Sequence, residues 1–153
     1  MAAAGEGLPI GQKFISEGRT ISEGEFTQFH NMTWILDPMH CDKEAMKPTP
    51  FGERILAGPV VLCVLLGLSK STGILEAITN TGRNLVAMLG IENVTFQAPV
   101  LPGDTLKIER EITSSRPTKN PEREVISIKD IGRKQTGDIV LAATTNWLYE
   151  KTD

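Results

Sequence analysis

Of the two histidines in the chain, His40 keeps the more reactive company. Asp37 and Pro38 precede it, Cys41 follows it, and together they form a polar turn. An imidazole titrates near neutrality, so His40 can serve as general acid or base. Asp37 offers a carboxylate three residues away. Read structurally, Asp37-Pro38 is equally a turn opening in which the aspartate bonds its own backbone. A nucleophile pair of Cys41 with His40 is the weaker alternative, because no third group and no elbow motif accompanies it. Two histidines without ligand spacing do not make a zinc signature, so no metal is expected. His30 reads as core or surface rather than as a ligand.

The elements that would position these groups come in a clear order. Residues 13–21, KFISEGRTI, read as a strand. Ser22 and Glu25 have the capping-box spacing that starts a helix, with Phe26, Phe29 and His30 or Thr33 at the spacing of one face. That helix stops near Trp34, since Pro38 biases the residue before it away from helix. A short helix over 42–47 follows, capped by Asp42 and ended by Pro48 and Pro50. Gly58-Pro59 then opens a segment with no polar residue from Val60 to Leu66. Pro59 suits the first helical position, where its missing N–H is no loss. A helix with no water-facing side must be wrapped by something else. It is too short to span a bilayer, which takes about 20 apolar residues.

Residues 74–84 read as a connector, and strands take over from there. Leu85 to Phe96 is a long strand with a bend or bulge at Gly90. A turn over 99–104 leads to Thr105–Ser114, where Leu106, Ile108 and Ile112 alternate with Lys107, Glu109 and Glu111. Arg110 interrupts the apolar face. Strands over 123–131 and 139–149 complete four in hairpin-like succession. Strands clustered after helices argue for an α+β fold, an antiparallel sheet packed on one helix.

At 153 residues the chain reads as a single domain, 1–153, with residues 1–11 a loose lead-in. Hydrophobic content of 40% and charged content of 23% are those of a soluble globular protein. A net charge of −3 gives no argument for nucleic acid or an anionic membrane. Cys41 and Cys63 form no paired motif, and Cys63 falls in the apolar helix, which argues for a reducing, cytoplasmic setting. Lys47, Arg54, Arg133 and Lys134 are expected to be solvated charges.

His40, the spacing of Ala45 and Phe51-Gly52, and Ile55-Leu56-Ala57-Gly58 ahead of the apolar helix resemble the MaoC-like, (R)-specific enoyl-CoA hydratase family. That family reads roughly Gly-Asp-x-Asn-Pro-x-His, then Ala, then Phe-Gly, then Ala-His-Gly. Residues 93–106, NVTFQAPVLPGDTL, resemble its next landmark, Phe-x-x-Pro-Val-x-x-Gly-Asp-x-Leu. The resemblance runs from Gly11 to Tyr149 and implies the hot-dog fold, a curved antiparallel sheet around one long helix. It implies an acyl-CoA hydratase or dehydratase with no cofactor beyond the coenzyme A of its substrate. It also implies a homodimer or higher homo-oligomer, with no nucleic acid and no membrane as partner.

By the same resemblance His40 is the proton-transferring group, and Gly58 stands where a buried helix N-terminus can offer N–H groups to a thioester oxygen. Pro59 removes one donor and leaves Gly58, Val60 and Val61. Phe51, Gly52, Val60 and Val61 would line the substrate. One departure stands out. The family's aspartate position is Ile35 here, and its asparagine position is Asp37, so the carboxylate is displaced by two residues. A hot-dog acyl-CoA thioesterase and a non-catalytic acyl-CoA-binding protein are therefore the alternatives.

Overall fold

The computed structural model describes residues 7–152. Strands β1 (Lys13–Ile15) and β2 (Arg19–Thr20) replace the single strand expected over 13–21. The break is at Ser16, which is buried and binds Ile108 twice. Its N–H donates to the Ile108 carbonyl, and its Oγ accepts from the Ile108 N–H at 2.9 Å. The loose lead-in falls partly on residues 1–6, outside the described residues. From Gly7 onward the chain is tied down: Leu8 is buried in a core cluster and the Gly11 N–H donates to Ile112.

Helix α1 (Glu23–Thr33) starts on the predicted capping box, with the Ser22 Oγ accepting from the Glu25 N–H and the Glu25 carboxylate accepting from the Ser22 N–H. Helices α2 (Pro38–Cys41), α3 (Lys43–Met46), α4 (Gly58–Leu68) and α5 (Ile74–Thr79) follow, α5 lying in what reads as a plain connector. Asp42 caps α3 by accepting from the Ala45 N–H. The long strands are β3 (Arg83–Phe96), β4 (Thr105–Pro117), β5 (Arg123–Lys134) and β6 (Ile139–Lys151).

They form one antiparallel sheet in the order β1-β4-β5-β6-β3, with β2 also on β4. The hairpin succession holds only from β4 to β6. Strand β3 pairs with β6 instead of β4, so residues 97–104 carry the chain from one side of the sheet to the other. The irregularity at Gly90 is present, and a further register shift occurs between Glu92 and Thr95, around Asn93 at φ 54°.

Helix α4 packs its Val60, Val61 and Leu65 against Leu106, Ile108, Val140 and Leu141 of the sheet. At Gly132 of β5 a Cβ would lie 2.2 Å from Leu65 Cδ1, so only glycine lets the helix seat this closely. Wrapping is nonetheless one-sided within the chain. Pro59, Cys63 and Gly67 lie on an exposed stripe, and Cys63 is not buried as its apolar neighbours suggest. Arg54 also departs from expectation: it is buried, bonded to Glu23 and Glu53, with its guanidinium 5.2 Å from the Phe26 ring centroid.

Candidate active site

The site is assembled by three short segments converging on the start of α4. Helix α1 turns Phe26 and His30, one turn apart, into the core, where their rings meet edge to face with centroids 4.7 Å apart. Trp34 ends the helix in the left-handed region at φ 59°, a conformation glycine adopts freely and where the resembled family has its glycine. The side chain of Trp34 is 86% exposed. The chain then reverses into the single turn of α2, with Pro38 at its first position.

That turn delivers His40 to the segment before α4. His40 Nδ1 lies 2.7 Å from the Ile55 carbonyl. A carbonyl only accepts, so Nδ1 carries the hydrogen and Nε2 is the basic nitrogen of the neutral ring. The rings of His30 and His40 stack, with centroids 5.0 Å apart and planes 14° apart. His30 Nε2 accepts from the Ala57 N–H at 3.2 Å, which places its own hydrogen on Nδ1, a buried atom without a partner among the described residues. Burial holds the His30 pKa below its usual value, and the nearby His40 and Arg54 charges act in the same direction. The Phe26 carbonyl opposes this without closing a hydrogen bond on Nδ1.

The donors around Gly58 can be accounted for one by one. The N–H groups of Ile55, Leu56 and Ala57 donate to the Met39 carbonyl, the Val100 carbonyl and His30. Pro59 has none, and those of Val60 and Val61 both turn back to the Ala57 carbonyl. Of the three donors the sequence left open, only the Gly58 N–H lacks an acceptor among the described residues.

Gly58 and His40 share a cavity of about 460 Å³ with Met39, Phe51, Val61 and Phe96. His40 is the single titratable residue among its lining side chains, and Gln97 the other polar one. The structure thus brings together His40, Gly58, Phe51 and Val61. Val60 faces a different groove, beside Phe29 and Cys63. Gly52 is exposed at φ 68° outside the cavity, a turn glycine rather than a wall. Asp37 is exposed too. It begins α2 with its carbonyl, which accepts from the His40 and Cys41 N–H groups, while its carboxylate makes no capping bond.

Two residues emerge to which the sequence assigned no part in the site, although His30 does lie in the core, one of the two places it was expected. His30 had a signal in its spacing four after Phe26, though nothing local announced that its ring would meet His40. Phe96 ends β3 with its ring over Gly58: a Cβ there would sit 2.8 Å from Phe96 Cε2 and Cζ. Ile35, at the family's aspartate position, packs against the core as an ordinary hydrophobe.

Comparison with known proteins agrees with this architecture. The MaoC-like domain family profile matches residues 6–132. The chain is 29% identical over 118 residues to Protein MaoC of Klebsiella aerogenes, covering 77% of this chain and 32% of that protein. It therefore spans about a third of that curated relative's length. The structure of a monoamine oxidase regulatory protein from Archaeoglobus fulgidus superposes with a TM-score of 0.83 at 29% identity, covering 99% of this chain and 96% of that one. An (R)-hydratase from A. caviae involved in PHA biosynthesis shares the fold, with a TM-score of 0.65 at 22% identity over 94% and 97% of the two chains. The sheet, the helix seated on it and the family match over most of the chain lead to one conclusion: this protein has the hot-dog fold and belongs to the MaoC-like domain family.

Proposed function

We propose that the protein is a hydro-lyase that adds water to a 2-enoyl thioester of coenzyme A, or removes it from the 3-hydroxyacyl thioester. The observation that carries this reading is the cavity in which the free Gly58 N–H and the imidazole of His40 stand together. A thioester carbonyl placed on the Gly58 N–H becomes more negative as water adds to C3, and a donor at a helix N-terminus stabilises that charge. The missing side chain at Gly58 lets the Phe96 ring close over the helix start and wall this side of the cavity. His40 Nε2 takes a proton from the water as its oxygen bonds to C3, and returns a proton to C2. One imidazole does both jobs here, because no carboxylate lines the cavity. Asp37 builds the turn that aims His40. Phe51, Val61 and Phe96 exclude water around the acyl group.

A second copy of the chain completes the molecule in this reading. Edge strand β3 exposes Leu85, Val86, Met88 and Leu89, and carries no charge between Asn84 and Ile91. Unpaired apolar edges are normally blunted by charge or covered. We place a β3-to-β3 homodimer there, and the two unpaired cysteines fit a reducing cytoplasm.

The decisive experiment mixes the protein with a panel of 2-enoyl-CoA thioesters. It follows the ultraviolet absorbance of the conjugated double bond alongside release of free thiol. Loss of the double bond without thiol is expected. Thiol release instead makes the protein a thioesterase, and tight binding with neither product makes it an acyl-CoA carrier. A monomer in light scattering at micromolar concentration overturns the dimer.

A further inference from the structure

We propose that His30 is a positioning residue for this site, a neutral plate that fixes the His40 ring on one side and the start of α4 on the other. The inference rests on the hydro-lyase reading only for its rate arm. His30 is 1% exposed and does not reach the cavity, so it touches no substrate. Its two contacts are made by different parts of the ring. The flat face lies on His40, and the Nε2 edge accepts from the Ala57 N–H, one residue before the open donor of Gly58. One side chain thereby sets the relative placement of the proton-transferring ring and the oxyanion donor.

The geometry also says what His30 does not do. Ring protons leave an imidazole in its own plane, and planes 14° apart cannot pass one between them, so His30 is no relay. It must also stay uncharged. A proton on Nε2 would turn that atom's acceptor into a donor facing the Ala57 N–H. The groups around it reinforce this: His40 on α2 lies against its face, and Arg54 contributes a further positive charge, itself tied to Glu23 and Glu53. A proton on His30 is therefore disfavoured. A buried Nδ1 without an acceptor is a standing penalty that leucine or phenylalanine would avoid while filling the same space.

The chain contains only these two histidines, so ring-proton NMR of the full-length protein resolves both. The His30 ring should stay neutral to lower pH than an ordinary imidazole; His40→Gln leaves the His30 signal alone in the spectrum and so assigns it. His30→Gln retains an acceptor for Ala57 but not the plate, and His30→Phe the reverse. Each should lower kcat on the enoyl-CoA substrate about 10-fold, and His30→Ala about 100-fold, with KM little moved and the His40 ring resonances displaced as the stacked neighbour is lost. A His30 ring that titrates like an ordinary imidazole, or a folded His30 variant with unchanged His40 ring resonances, overturns the proposal. If the wild-type protein hydrates nothing while one ring stays neutral as described, the hydro-lyase reading falls and the positioning role stands.

Discussion

Two of the places where this protein buries polar groups, the middle of the sheet and the start of α4, are completed to different degrees. In the sheet, Arg110 Nε donates to Asp130 at 2.6 Å and its Nη2 to Thr145 at 3.2 Å. The Thr145 hydroxyl donates to the other Asp130 oxygen and accepts from the Trp147 indole at 2.8 Å. At the start of α4, the Gly58 N–H and His30 Nδ1 have no partner among the described residues, and His40 Nε2 is the basic nitrogen of a ring on the cavity wall. A closed network spends its hydrogen bonds on shape and has none left for a ligand. An incomplete one, where burial also displaces a histidine pKa, is where chemistry is to be sought.

The largest effect should come from the open cluster. His40→Ala is expected to lower turnover on the order of 10²–10⁴-fold, with a melting temperature close to wild type. Asp37→Asn keeps the turn and should lower turnover less than about 10-fold. Equal losses from the two would mean that the carboxylate enters the cavity when substrate binds. The closed cluster should respond in the opposite currency. Asp130→Ala strands the buried Arg110 and should destabilise by about 3–5 kcal/mol in urea unfolding, with unchanged turnover per folded molecule.

Tyr149 sharpens the contrast, because it is an open group on the closed side. Its hydroxyl is buried without a partner among the described residues in the cluster of Ile74, Ile112 and Ile126, and burial pushes its pKa up to about 12. It is the chain's one tyrosine, so absorbance at alkaline pH reads it alone. The unfolded chain loses this proton near pH 10 and the folded one near 12, so its contribution to stability declines as pH rises from about 10. Tyr149→Phe removes a stranded hydroxyl and should be neutral or stabilising by up to about 1 kcal/mol. A clear loss of stability would mean that the hydroxyl is satisfied after all.

What the sequence made legible was local. The capping box of Ser22 and Glu25, Pro59 at the head of α4, the irregularity at Gly90 and the inward row Leu106, Ile108 and Ile112 are all read from neighbours a few residues apart. Arg110 was visible as an interruption, but its reason, Asp130, stands across a strand pair. An all-apolar helix carries no mark of which side is covered, hence the misplacing of Cys63. His30 and His40 likewise meet only because Trp34 reverses the chain between them. Sequence spacing placed Asp37 near His40, yet the turn that joins them leaves the carboxylate outside.

Residues 55–57 form a strap whose three successive N–H groups reach α2, the turn before β4, and α1, while the Ile55 carbonyl accepts from His40. The β4-β5-β6 hairpins need only nearby chain to form, whereas the strap must wait for three separate segments to arrive. The proposed site should therefore assemble after those hairpins and come apart before them. Amides of the strap should exchange with solvent through a partial opening that leaves β5 and β6 protected. Under mild denaturant the protein should fall silent while its sheet is still intact.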